Sequence, residues 1–496
     1  MRNLMTDPAW KPEDLGIPLP DSPHAVSVAM PTWQDVIDYE ENNPRVTTAL
    51  QCGYPRFFLH PLVSQLCLEA EREFARNGQN CLVFPTRKAA ERCRDFIKAR
   101  AVAEVHLMEW RGPACAVLFP SDCMKLARLY WRYCGETLSS RLAKQLLEFR
   151  SHEIWESAWS KSGEDAQVKI RERLADLHGV HRDDIFLYPS GMAAVAALHR
   201  ALRVIHPGLP SVQLDFPYVD VLKVQEEFGG AKFFPVADDE AISGVNALAS
   251  AKAVSGIFCE MPSNPLLRCV RVSRFADTLK QNGVLLIIDD TIAGVTNIDV
   301  LKFADAVTTS LSKAFSGTGD VLAGAVTLNP RSPHYETLHR LLREESPSNS
   351  QLWHEDAIVL EENSRDFVER SARMSENAAA LAAWLEQHPA VEAVYYPRDG
   401  DGFEEVARTG AGRGCLLSFV LKDPAKASVV YDHLKISKGP SLGTNFSLCC
   451  PYTLLAHYTE LEWAAQCGVR SDLLRISAGL EEIDDLIARF DQALAS

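Results

Sequence analysis

The 496 residues have ordinary apolar (47%) and charged (24%) content, and 51 Lys and Arg stand against 66 Asp and Glu for a formal charge of −15. That balance disfavours nucleic acid or an anionic membrane as a partner, the length suits about three domains, and no apolar run approaches a bilayer span. The thirteen cysteines are scattered with no C-x-x-C pair, and no H-E-x-x-H is present, which points to a reduced cytoplasmic protein without a metal site. The N-terminal stretch carries acids and prolines where a secretory signal needs an apolar core.

Residues 1–62 are rich in proline and weakly periodic, and they read as an arm that closes on Gly53-Tyr54-Pro55-Arg56-Phe57-Phe58-Leu59-His60-Pro61. Residues 63–150 hold two strand-like runs, CLVFP and CAVLFP, among helix-like stretches such as KAAERCRDFIKARA and SSRLAKQLLEFR. This inserted α/β segment shows no readable chemistry, and packing or assembly is its expected role.

From 151 to 340 the period alternates. Strand-like runs DIFLYP, SVQLDF, AKFFPV, SGIFCEMP and VLLII are separated by helix-like runs such as GMAAVAALHRALRVI and YVDVLKVQEEFGG. Alternation at these lengths predicts a doubly wound, mainly parallel sheet. Residues 341–496 open with one long helical pattern, HEDAIVLEENSRDFVERSARMSENAAALAAWLEQHP. Strands VEAVYYP, CLLSFVLK, ISKGPSLG and LLRISAGL follow with two further helices, as in a small α+β domain.

The chemistry concentrates between Val284 and Val326. One strand ends in Asp289-Asp290-Thr291, and the next ends in Ser310-Leu311-Ser312-Lys313 before a turn with Gly317, Gly319 and Asp320. Carboxylate and lysine thus fall at the carboxyl ends of sheet strands, where open α/β sheets bind ligands. A lysine able to form a Schiff base, with an acid for a pyridinium nitrogen, is what pyridoxal phosphate requires. The hydroxyls of Ser310 and Ser312 suit its phosphate. Ser190-Gly191-Met192 lies where a strand turns into a helix, and such a helix start offers free N–H groups to an anion.

D-x-T followed by S-x-[ST]-K and a Gly-rich turn resembles the Cys/Met-metabolism PLP-dependent enzymes, the trans-sulfuration family, and the inserted segment at 63–150 is most similar to that of its fungal cystathionine γ-synthase-like branch. The resemblance extends to S-G-M-A-A at Ser190, E-x-P-[ST]-N-P at Glu260, S-L-G at Ser441 and R-x-S-x-G-x-E at Arg475. It implies the fold-type I, aspartate-aminotransferase-like architecture: a large domain around a seven-stranded-type sheet and a small C-terminal domain.

In the site so implied, Lys313, Asp289 and Tyr218 are catalytic. Gly191, Met192, Ser310, Ser312, Asn264 and the stacking ring of Tyr218 bind the cofactor, while Arg475 and Ser441 take the substrate carboxylate. Tyr54 and Arg56, matching a Y-x-R on the arm, complete the site of a neighbouring subunit, which implies a homodimer or homotetramer. His60-Pro61 stands near the family's N-P. The implied reaction is γ-replacement on an O-acyl-L-homoserine such as O-acetylhomoserine through a vinylglycine ketimine, with L-cysteine as acceptor.

Some positions depart from the family pattern. Asp290 replaces a common Asn, Ser312 a Thr, Thr318 a His and Val221 a Thr. Phe446 replaces an acid expected to face the distal part of the substrate, which opens the alternative of a carbon nucleophile such as a β-keto acid enolate. A γ-lyase or a non-catalytic module on the same fold ranks lower, because Lys313, Asp289 and Arg475 are all intact. Ser310-x-x-Lys313 also spells the serine β-lactamase motif, but its S-D-N and K-T-G companions are missing.

Overall fold

The computed structural model describes residues 2–53, 57–76, 78–148 and 161–496. The strands in chain order are β1 (Gln79–Phe84), β2 (His106–Glu109), β3 (Cys115–Pro120), β4 (Ile185–Tyr188), β5 (Ser211–Leu214), β6 (Ala231–Phe234), β7 (Gly256–Glu260), β8 (Leu285–Asp289), β9 (Ala306–Ser310) and β10 (Gly324–Leu328). The C-terminal domain adds β11 (Val391–Tyr395), β12 (Leu416–Leu421), β13 (Ser437–Lys438), β14 (Leu448–Cys450) and β15 (Leu474–Ser477).

The segment after the arm is a unit with its own core. Strands β1, β3 and β2 form a three-stranded antiparallel sheet in that order. Helices Pro61–Phe74, Arg87–Lys98, Met124–Cys134 and Ser140–Glu148 enclose it. Val63, Leu66, Cys67 and Ala70 recur at helical spacing on the first helix and are buried with Leu82, Phe84, Val117, Phe119 and Leu142. Strand β2 is a third strand where the sequence showed two. Its residues are partly exposed, so it lacks the apolar run that marks the others.

The central sheet has seven strands in the order β4-β10-β9-β8-β7-β5-β6. The pairs β5/β6, β5/β7, β7/β8 and β8/β9 are parallel, and β10 is antiparallel to both β4 and β9. Alternate residues serve two cores. Val212, Ile257, Cys259, Leu286 and Ile288 pack with Ile242, Val245 and Leu279 on one side. Phe186, Phe258, Leu285, Ile287 and Val326 pack with Leu198, Leu202 and Leu342 on the other. A sheet buried on both faces needs such continuous apolar strands. Strand β10 was hidden in the sequence, because GAVTL follows the Gly-rich turn directly.

In the C-terminal domain β11, β12, β15, β14 and β13 form a five-stranded sheet, antiparallel except between β13 and β14. Helices Phe367–Gln387 and Ile483–Leu494 cover one face through Leu381, Leu385, Leu486 and Phe490. The single long helix expected near 354–389 is two, His354–Asn363 and Phe367–Gln387. The break is satisfied by side chains: Arg370 donates to the Asn363 carbonyl at 2.9 Å, and Arg173 donates to the Ser364 hydroxyl at 2.6 Å. Only Ser437–Lys438 of the predicted strand ISKGPSLG is extended in the sheet, and Pro440 and Leu442 beyond it line the cleft.

Residues 2–53 lie against this same domain. Thr32 caps helix Trp33–Glu40 by accepting the Asp35 N–H at 3.2 Å. The fully buried Lys438 donates to the carbonyls of Pro31 and Asp432, each at 2.9 Å, and the Tyr431 hydroxyl donates to Met30 O at 2.7 Å. Phe446 corrects an expectation here. It is buried among Leu4, Ala9, Leu19, Ala29 and Leu448, against the N-terminal segment, and does not line the cleft. Tyr54 and Arg56 lie outside the described residues.

Candidate active site

The cleft opens along the carboxyl ends of the central strands. Asp289 ends β8, Glu260 ends β7, Ser310 ends β9, and Ser190 and Tyr218 follow β4 and β5. The C-terminal domain closes the opposite side with Pro440, Leu442, Tyr452 and Arg475. The central sheet and the C-terminal domain together gather side chains more than 280 residues apart in sequence, from Ser190 to Arg475, into one pocket.

Lys313 lies in the loop after β9, and its Nζ donates to Ser441 Oγ at 3.1 Å. Asp289 accepts from the Thr291 N–H at 3.0 Å and the Thr308 hydroxyl at 2.7 Å. Burial pushes its carboxyl up, and those hydrogen bonds oppose the shift. Glu260 pairs in register with Asp289, and its Oε1 accepts the backbone N–H of Tyr218 at 2.7 Å. Burial, then the charge of Asp289, holds Glu260 well above the usual carboxylate range. The Glu260 contact sets the start of helix Val219–Phe228 and with it the ring of Tyr218 at the pocket wall. Asp290, fully buried behind the pocket, is pushed up to about 7 by burial. Its Oδ1 accepts from Thr309, and its Oδ2 has no hydrogen-bond partner among the described residues.

Arg475 is buried. Its Nη1 donates to Asn264 Oδ1 at 3.2 Å, and its Nη2 donates to the carbonyls of Pro440 and Ser441 at 2.8 and 3.2 Å. The guanidinium also stacks 4.7 Å from the centre of the Tyr452 ring. No carboxylate forms an ion pair with it among the described residues, and a buried cation in neutral company asks for an anionic ligand. Tyr452 was not anticipated from the sequence. Its buried hydroxyl has no partner among the described residues, a property that no local motif announces.

The phosphate side is built from Ser190, Gly191, Met192 and Ser310. Ser190 Oγ caps helix Gly191–Ile205 by accepting the Ala193 N–H at 3.1 Å, which leaves the first N–H groups of that helix facing the pocket. A Cβ at Gly191 would fall 2.8 Å from that of Ser310, so only glycine lets the two walls meet. Ser312 is committed elsewhere: its hydroxyl donates to the Ala323 carbonyl at 3.2 Å and accepts the Ala323 N–H at 2.9 Å.

These residues fit pyridoxal phosphate. They supply an amine, a buried carboxylate with no cation partner among the described residues, and an anion cradle that a larger residue would fill. Comparison with known proteins agrees. The Cys/Met metabolism PLP-dependent enzyme family matches residues 138–495, and the N-terminal domain of fungal trans-sulfuration enzymes matches residues 62–139. The chain is 34% identical to a cystathionine gamma-synthase of Neurospora crassa, over 97% of this chain and 98% of that protein. It is 31% identical to a cystathionine gamma-synthase-like enzyme of Amanita muscaria, over 97% and 96%. Among solved structures, cystathionine gamma synthase from Xanthomonas oryzae pv. oryzae in complex with cystathionine aligns with a TM-score of 0.58 and 25% identity, over 66% of this chain and 85% of that one. The fold and site are those of a PLP-dependent enzyme. The chain belongs to the Cys/Met metabolism PLP-dependent family and carries the N-terminal domain of its fungal trans-sulfuration members.

Proposed function

We propose that this chain catalyses γ-replacement on an O-acyl-L-homoserine with the thiol of L-cysteine as nucleophile. The Cγ–O bond breaks, the acid leaves, and a Cγ–S bond forms with loss of the thiol proton. The observation that carries the reading is Arg475: a buried guanidinium with neutral acceptors, close to Lys313 through their shared neighbour Ser441, suits an amino-acid carboxylate held over a reactive amine. The names borne by the Neurospora and Xanthomonas proteins support the same chemistry.

When bound, the cofactor supplies an electron sink for the substrate carbon framework. Lys313 would hold it covalently, and once displaced its Nζ would take up and return protons, steadied by Ser441 Oγ. Asp289 would keep the ring nitrogen protonated. A cation there reverses the effect of burial on that carboxyl and favours its charged form. Gly191, Met192, Ser310 and the Ser312 turn would hold the phosphate, Tyr218 would stack on the ring, and Asn264 would meet its phenolic oxygen. Arg475 and Ser441 would orient the substrate carboxylate. Tyr54 and Arg56 would complete a neighbour's site in a homodimer or homotetramer. We place the enzyme in the cytoplasm, where thirteen unpaired cysteines are stable.

A second acceptor class is favoured by one observation. The cleft is also lined by Val26, Val221, Leu322 and Leu455, apolar side chains that suit the hydrocarbon part of a carbon nucleophile such as a β-keto acid enolate. Incubating the protein with O-acetyl-L-homoserine and competing cysteine, sulfide and β-keto acids, with products identified by mass, tests both readings. Cystathionine is the expected product, and a C–C adduct would select the second reading. No product containing a four-carbon amino-acid unit would contradict γ-replacement.

A further inference from the structure

We propose that residues 134–141 of the N-terminal unit form a positioning element for the cofactor cradle. Gly135 fixes the phosphate turn and Arg141 fixes the loop that carries Lys313.

Gly135 ends helix Met124–Cys134 with φ +62°, and its carbonyl accepts the hydroxyl proton of Ser190 at 2.8 Å. That bond directs the Ser190 oxygen lone pair to the Ala193 N–H, so the cap of the phosphate-binding helix is held from outside the cofactor domain. The approach leaves no room. A Cβ at Gly135 would lie 2.4 Å from Ser190 Oγ, 2.7 Å from Ala193 N and 2.8 Å from Met192 Cβ. The next residue reaches the same helix further along: the buried carboxylate of Glu136 accepts from Arg200 at 3.4 Å, Arg92 at 3.1 Å and the Tyr130 hydroxyl at 2.8 Å. Two bridges from consecutive residues to one helix fix its position along and about its axis.

Arg141 acts on the other wall. Its Nη1 donates to Asp320 O at 2.8 Å and to Asp356 Oδ1 at 3.1 Å, and its Nη2 reaches Asp320 Oδ2 at 3.4 Å. Asp320 closes the turn that begins at Lys313, and Asn363 donates to its other oxygen at 2.9 Å. The seam thus touches both walls that meet at Gly191 and Ser310, without lining the pocket. A cradle precise to fractions of an ångström depends on such supporting contacts.

The test is cofactor affinity, read by titrating pyridoxal phosphate into apo-protein and following its visible absorbance, beside far-UV circular dichroism and melting of the apo form. Gly135→Ala and Arg141→Gln should each keep the wild-type dichroism and weaken the cofactor dissociation constant by about tenfold, the worth of one or two lost hydrogen bonds. Arg141→Gln should also slow borohydride-trappable capture on Lys313, and Arg141→Lys should recover part of that rate. Val117→Ala, in the core of the same unit, should lower the melting temperature with no change in cofactor affinity. Should Gly135→Ala fail to fold, the Arg141 pair decides alone. Wild-type affinity in the folded seam variants would overturn the proposal, as would an affinity loss in Val117→Ala that tracks its lowered melting temperature.

Discussion

The N-terminal unit and the cleft use buried charge in opposite ways. Glu136 is enclosed by two guanidiniums and a phenol, which hold its carboxyl below the usual range against the pull of burial. In the cleft, Arg475 has carbonyl and amide oxygens and no carboxylate among the described residues, Asp289 has a hydroxyl and an N–H, and Glu260 is buried beside another acid. Both arrangements cost desolvation, but only the first repays it within the chain. Between these two regions, the matched buried charge belongs to the scaffold and the unmatched buried charge to the cleft.

That contrast can be broken most forcefully at Glu136. Glu136→Gln leaves the guanidinium of Arg92 without its carboxylate, while Arg200 keeps Glu345 at 2.8 and 2.9 Å, and should lower unfolding stability by about 3 kcal/mol, read from the urea midpoint. Asp290→Asn should act in the opposite direction. Its carboxyl stays protonated up to about pH 7 in the folded protein against 3.8 as an ordinary carboxyl, so the penalty is absent below the lower value, grows between the two and is complete above the upper. Wild-type stability should therefore fall across that window, and the Asn variant should be about 2–4 kcal/mol more stable at pH 8 with a flatter profile. Arg475→Met should stabilise the apo-protein by about 1–3 kcal/mol while costing at least about 100-fold in kcat/KM, the two faces of a cation kept for its ligand. Tyr452→Phe should have the smallest effect. It removes a hydroxyl with no partner among the described residues, so apo stability should stay within about 0.5 kcal/mol and KM for the proposed acylhomoserine substrate should rise by about threefold to tenfold.

Much of the site was legible because its parts are local and chemically specific. Lys313 and Asp289 sit at strand ends that alternation exposes, and Ser190-Gly191-Met192 sits at a strand-to-helix turn. What stayed hidden depends on distant packing. Strand β10 is recognised through its antiparallel neighbours, and the direction of Phe446 is set by Leu4, Ala9 and Leu19, more than four hundred residues away in the chain. The break at Ser364 is satisfied by Arg173, and Tyr452 acquires meaning only under Arg475. The two-strand reading of the N-terminal unit missed β2, whose half-exposed residues give no apolar signal.

The central claim is that Lys313 is the amine that holds the cofactor. Borohydride reduction of the holoenzyme followed by peptide mass mapping tests it directly. A pyridoxyl phosphate mass on the peptide containing Lys313, absent in Lys313→Ala, is the result predicted here. The mass on another lysine, or on none, would contradict it.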